Sequence, residues 1–187
     1  TTAETPTLTP EEKEQIVRFV IKKNDNRIPI VLGIGGNNTS GGVEQIKNTD
    51  LEGISAILSV APYYNKPSQE GLYQHYKAIA TVAEIPLILY NVPGRTSVNI
   101  TSQTTLRLAK EFANIVAIKE ASGNFHQIDE IIKNKPKNFM VISGDDGITF
   151  PLITLGAEGV ISVIGNAFPK EFGSMVRFAL RGDLIGA

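Results

Sequence analysis

The chain has 187 residues, no cysteine, two histidines and a formal net charge of −1. The missing cysteines exclude disulfides, cysteine metal sites and a cysteine nucleophile, and His75 and His126 alone are too few for most histidine-based metal centres. A near-neutral charge gives no long-range pull on nucleic acid or anionic membrane, and no apolar run approaches the ~20 residues of a membrane span.

"LTPEEKEQIVRFVIKKN" predicts the first helix: Thr9 is the N-cap, Pro10 opens the first turn and Glu12 closes a capping box. Ile16, Phe19 and Val20 then recur at helical spacing. "IPIVLGIGGN" follows as a β-branched run closed by glycines, a buried strand over Ile30–Ile34. Further strands are predicted at Ala56–Val60, Leu87–Tyr90, Val116–Lys119, Met140–Ser143 and Val160–Val163. Helices are predicted near 41–49, 68–83, 102–112, 125–134, 147–155 and 169–181. The strands are uniformly apolar rather than alternating, so both their faces are expected to be covered, as in a parallel sheet with helical crossovers. No linker or low-complexity segment divides the chain, so residues 1–187 are expected to form one domain. Two architectures fit six β/α units: an open doubly wound sheet, or an incomplete β/α barrel, whose full form has eight units in about 250 residues. The chain opens on Thr1 and stops at "RGDLIGA" within what reads as an unfinished helix, so both ends are expected to be cut.

The strand ends carry the polar residues. "GIGGNN", "APYYN", "YNVPGRT", "KEASGN", "SGDDG" and "VIGNA" close the strands, whereas the helix-to-strand junctions are bland. Ligands of parallel β/α folds bind at the carboxyl ends of strands. Lys119 ends a buried strand where lysine is a poor guest. It is paired with a neighbouring carboxylate at the sheet edge, or it snorkels into solvent, or it is an amine that attacks a ketone or aldehyde to form a Schiff base. Tyr90 closes another strand, and Arg95 follows in a proline–glycine turn; they offer a proton-relay hydroxyl and a carboxylate clamp. Tyr63 and Tyr64 read as loop packing, and "SGDDG" as a tight turn with Asp146 capping the next helix, or else as a metal or phosphoacceptor site. "GIGGNN" is not a dinucleotide fingerprint, since Asn38 stands where the third glycine belongs.

Together "YNVPGRT", "IKEASGN", "APYYNKPSQEGLYQHYKAIA", "SGDDG" and "GVISV" resemble the dihydrodipicolinate synthase family of the pyruvate-dependent class I aldolases. "TTAETPTLT" looks like that family's Gly-Thr-Thr-Gly-Glu loop, with Ala3 in place of the usual second glycine. The resemblance implies an α/β fold, a (β/α)8 TIM barrel of which strands 3 to 8 are present; the first two units would lie upstream of Thr1 and the C-terminal helices beyond Ala187. It implies Lys119 as the Schiff-base lysine for pyruvate, Tyr90 as the proton relay, and Thr1 and Tyr64 as its partners, Tyr64 reaching in from a neighbouring subunit. Thr2 would bind the pyruvate carboxylate and Arg95 that of aspartate semialdehyde, while Gly144 and Ile161 would shape the pocket through their backbones. No metal or organic cofactor would be needed. A cytoplasmic homo-oligomer in lysine biosynthesis follows from the same resemblance. A lysine-binding cleft would be lined by Thr5, Pro6, Pro10, Lys13, Asn37, Gly41 and Tyr63. Gly41 replaces a glutamate there and Lys13 a histidine, so weak feedback by lysine is expected, with Glu44 a possible substitute carboxylate.

The near relatives are N-acetylneuraminate lyases and keto-deoxy sugar-acid aldolases. Thr2 and Arg95 favour the synthase, because a guanidinium suits a small carboxylate and a sugar chain needs neutral partners. A non-enzymatic phosphoacceptor domain built on "SGDDG" needs a lysine on a later strand, and no later strand ends in one.

Overall fold

The computed structural model describes residues 2–187. After a 3-10 turn at Thr5–Thr7, helix α1 (Pro10–Asn24) starts on the expected box: Thr9 accepts from the Glu12 N–H, and the Glu12 carboxylate from the Thr9 N–H. The chain then alternates: β1 (Val31–Gly33), α2 (Thr39–Asn48), β2 (Ala56–Val60), α3 (Gln69–Val82), β3 (Leu87–Asn91), a short α4 (Pro93–Thr96), α5 (Ser102–Glu111), β4 (Ile115–Glu120), α6 (Phe125–Asn134), β5 (Met140–Ser143), α7 (Thr149–Leu155), β6 (Gly159–Val160) and α8 (Pro169–Leu180). Asn38, Ser68, Thr101 and Asn124 cap α2, α3, α5 and α6 through side-chain oxygens. Asn38 is therefore at a position where a helix needs an acceptor, which is why no third glycine stands there.

Among the described residues the six strands are all parallel, and each pairs only with its neighbours in sequence. A doubly wound sheet reverses its strand order at a switch point. This one has no reversal and curls as part of a barrel. The larger core lies between sheet and helices, with Ile57, Leu87, Leu89, Ile118 and Val141 meeting Leu72, Tyr76, Ile79, Leu108, Ile128, Ile131 and Leu152. The opposite, inner face holds Ala56, Ile88 and Ala117 with Leu58, Val116 and Ile142. Small and β-branched residues there leave room for the sheet to curve inward.

Several boundaries differ from expectation. The first and last strands are shorter than Ile30–Ile34 and Val160–Val163, because each has a partner on one side only among the described residues. Val31 at the β1 edge is exposed, so the expectation of two covered faces holds for the central strands and not there. Beyond β6, Ile161 still donates to Ser143 O (2.9 Å), but Asp146 Oδ2 then takes the N–H groups of Val163 and Ile164 (3.0 and 2.8 Å) and turns the chain into a 3-10 segment, Ile164–Asn166. Asp145 rather than Asp146 caps the next turn, accepting from Gly147 N–H at 2.9 Å, and the predicted 147–155 helix divides into a 3-10 turn (Asp146–Ile148) and α7. Strand β4 runs one residue past Lys119 to Glu120. The last helix ends at Leu180, and Gly182, with φ +78°, turns the following residues out of it.

His75 lies on the buried side of α3, its Nδ1 2.8 Å from Thr39 Oγ1 at the start of α2 and its ring edge-on to Tyr76. Burial lowers its pKa to about 4. Below pH 6.5 the unfolded chain gains a proton at His75 that the folded chain refuses until about pH 4, so stability falls across that window. We predict a loss of roughly 3 kcal/mol between its ends. Urea unfolding at stepped pH checks it: the stability gap between the parent and His75→Gln should shrink as pH falls from 6.5, and a gap constant with pH would refute it.

Candidate active site

Successive strand residues point to opposite faces. In β3, Ile88 and Tyr90 face the inside of the curl, and Leu89 and Asn91 face the helices; in β4 the same holds for Ala117 and Lys119 against Ile118 and Glu120. Pairing sets Tyr90 opposite Lys119 and Asn91 opposite Glu120. The Lys119 side chain is thereby laid across its neighbour, Nζ 4.2 Å from the centroid of the Tyr90 ring, in a residue only 8% exposed. No ion pair among the described residues includes Lys119, so the carboxylate-paired alternative is not what the structure shows.

Gly144, which follows β5, closes the third side. A Cβ there would lie 2.8 Å from Ala121 Cβ and 3.0 and 3.2 Å from Lys119 Cε and Cγ. The lysine stem occupies the space a side chain would need. An open cavity of about 510 Å³ adjoins the Tyr90–Lys119 pair, lined by Thr2, Tyr90, Arg95, Gly144, Asp145 and Asp146, with Val92, Ala121 and Val163 as its apolar part. Tyr90, Thr2, Arg95 and Gly144 thus line one cavity. Ile161 joins only through its bond to Ser143 O, and Lys119 sits behind the lining.

Asp146 was expected as a helix cap and is instead a wall of this cavity. Burial pushes its carboxyl up, but the Ile164 N–H, the Ser162 hydroxyl, the Val163 N–H and the Lys119 charge together hold it below the usual carboxylate range. It supplies negative potential near the amine. The signal was present in "SGDDG", since two adjacent carboxylates at a strand end are one more than a turn requires.

Behind the pair, the outward residues form a buried polar layer that sequence reasoning missed. Asn91 and Glu120 are both inaccessible to solvent, and Asn91 Nδ2 lies 3.1 Å from each Glu120 oxygen. Burial raises the Glu120 carboxyl, and hydrogen bonds from Asn91, Ser122 and Gln127 offset part of that rise. Its signal was a polar residue directly after each inward one: Tyr90–Asn91 and Lys119–Glu120.

Thr1 lies outside the described residues. Tyr64 does not reach the cavity; it is 87% exposed in the loop after β2, with φ +74°, a strained angle for a bulky residue. Thr5, Pro6, Pro10, Lys13, Asn37, Gly41 and Tyr63 lie in the N-terminal segment, the first turns of α1 and α2, and the loops after β1 and β2, where Asn65 Nδ2 donates to Asn37 O at 3.0 Å. Among the described residues no group of three or more metal-ligating side chains converges, and no helix is long and apolar enough to cross a membrane.

The whole chain, residues 1–187, matches the model of the Dihydrodipicolinate synthetase family. The 4-hydroxy-tetrahydrodipicolinate synthase of Parabacteroides distasonis is 69% identical over all 187 residues, which span 63% of that protein. Dihydrodipicolinate synthase from Aquifex aeolicus superposes with a TM-score of 0.95 at 46% identity, over 100% of this chain and 64% of that one. The chloride-inhibited dihydrodipicolinate synthase of Acinetobacter baumannii, solved with pyruvate, does so with a TM-score of 0.92 at 44% identity, over 99% and 65%. A buried lysine over a tyrosine at the mouth of a sequentially wound parallel sheet, in a chain that matches one family from end to end, leads to one assignment: this chain belongs to the dihydrodipicolinate synthetase family.

Proposed function

We propose that the site condenses pyruvate with aspartate 4-semialdehyde to give 4-hydroxy-tetrahydrodipicolinate, and that the chain is the part of a (β/α)8 barrel running from the third strand to the eighth, with two β/α units and further helices completing it. The observation that carries this reading is the buried Lys119 amine held over the Tyr90 ring beside a cavity with Arg95 at its rim.

Lys119 Nζ adds to the pyruvate ketone, and loss of water leaves an imine. The protonated imine draws electrons from the adjacent methyl group, which releases a proton and becomes an enamine carbon. That carbon bonds to the aldehyde of the second substrate, whose oxygen takes up a proton. The substrate's own amino group then displaces Lys119, closing the ring and freeing the enzyme. The lysine imine is the electron sink, so the reaction calls for no metal or organic cofactor.

Tyr90, beside the amine, passes protons to and from the adduct, with Thr1 and Tyr64 completing the relay. Tyr64 faces away from its own site in a strained conformation, and strain of this kind gathers where function demands it. It serves the site of a second copy in a homo-oligomer. Thr2 receives the pyruvate carboxylate and Arg95 that of the semialdehyde, while Gly144 and Ile161 present backbone to the pocket. The seven residues from Thr5 to Tyr63 named above form a lysine cleft of low affinity. The protein works in the cytoplasm.

Three outcomes follow, measured in the full chain. Borohydride with pyruvate should add one covalent label, mapped to Lys119, and Lys119→Ala should abolish turnover; a label on Lys110 or Lys133 would displace Lys119 from its role. Arg95→Ala should leave pyruvate trapping intact but weaken use of the semialdehyde by about 2–3 kcal/mol, the worth of a charged bidentate contact. Equal losses in trapping and turnover would make Arg95 structural. Gly144→Ala should force the Lys119 stem aside and slow imine formation by about 10²-fold, the usual effect of a displacement near 1 Å. A trapping rate equal to the parent's would show that the stem has room to spare.

A further inference from the structure

The inward residues of β3 and β4 carry the chemistry. The outward residues one step further along form a separate unit that the chemistry does not touch. Glu120 is fully buried and belongs to none of the ion pairs among the described residues. A buried carboxylate without a counterion is costly unless hydrogen bonds satisfy it. The fold surrounds it with donors. Asn91 Nδ2 reaches both oxygens at 3.1 Å, Gln127 Nε2 reaches Oε2 at 3.1 Å, and the Ser122 N–H reaches Oε1 at 2.7 Å.

Asn91 is fixed in turn. Its Oδ1 accepts from the Ile100 N–H at 3.0 Å, and its Nδ2 also donates to Asn99 Oδ1 at 2.8 Å. The backbone repeats the linkage, with Ala121 N–H donating to Asn91 O and Gly144 N–H to Glu120 O, both at 2.8 Å. Glu120 therefore grips three elements at once: the end of β3, the start of α6 and the turn after β4. The residues preceding Asn91 and Glu120 are Tyr90 and Lys119. Strand ends fray and shear where the ladder stops, and side-chain bonds across the last rung oppose that.

We propose that Glu120 is a positioning residue for the reaction: its carboxylate, by holding Asn91, Ser122 and Gln127, keeps the last rung of β3 and β4 in register so that Lys119 Nζ stays over Tyr90 during imine formation and proton transfer. The inference rests on the Schiff-base reading above. Glu120→Gln conserves size but puts an amide NH₂ where an oxygen accepts from two donors, so two contacts become donor against donor.

The test is steady-state kinetics in the full chain, with folding followed by near-ultraviolet circular dichroism and the parent first labelled by pyruvate and borohydride. Folded Glu120→Gln should lose about 10²-fold in kcat. Its KM for pyruvate should stay within about threefold, since ground-state binding is not what the clamp provides. A purely structural role would lower the melting temperature and leave kcat per folded site unchanged, so a kcat for Glu120→Gln within about threefold of the parent overturns the inference. If Glu120→Gln does not fold, Gln127→Leu decides: it removes one donor, should lower kcat about tenfold, and overturns the proposal if kcat is unchanged. A parent that takes no label overturns the function itself, which is distinguishable from a labelled parent with an indifferent Glu120.

Discussion

The register between β3 and β4 is the constraint on which the rest of the site depends. Because side chains alternate along a strand, a one-residue slip of either strand would turn its own inward residue, Tyr90 or Lys119, toward the helices and bring Asn91 or Glu120 inside. The apolar residues below resist this. Ile88 and Ala117 belong to the inner face, Leu89 and Ile118 to the outer core, and a slip would exchange those of the strand that moves. The packing that stabilises the sheet therefore also orients the amine.

The site is a place where polar groups are kept against their preference for water. Lys119 and Glu120 are neighbours in sequence, both buried, and solvated by the protein in different ways. Lys119 has an aromatic face and the nearby charge of Asp146. Glu120 has four donated hydrogen bonds. The carboxylate faces amides, and the amine lies over the Tyr90 ring just behind the lining of a cavity, so the first is saturated and the second stands next to room for a substrate.

Much of this was legible in the chain. Apolar runs ending in polar clusters located the mouth of the sheet, and Lys119 was conspicuous because lysine at the end of a buried strand needs a reason. The start of α1 was readable from Thr9, an oxygen-bearing side chain placed to accept a backbone N–H, whereas the caps Asn38, Ser68 and Thr101 emerged only with the structure. What was not legible depended on contacts distant in sequence. The division of labour between Asp145 and Asp146 is decided by Val163 and Ile164, which the local pattern does not include. The same holds for Glu120, whose partners come from β3 and α6, so its neighbours in sequence read only as a polar loop. The edge strands were overestimated because an apolar run says a strand is possible, and only a partner on each side completes it.

The strictly sequential order of the strands also bears on how the sheet is assembled. Asn91 and Glu120, on adjacent central strands, are 29 residues apart, and every other strand pair likewise joins consecutive β/α units. Closing loops of that size costs little chain entropy, and the cost grows only slowly with length. No strand has to wait for a distant segment before it can pair, unlike the inner strands of a sheet with reversed order. Each unit can dock on the previous one as it is synthesised, and the rung that carries Tyr90 and Lys119 can form before α7 and α8 exist.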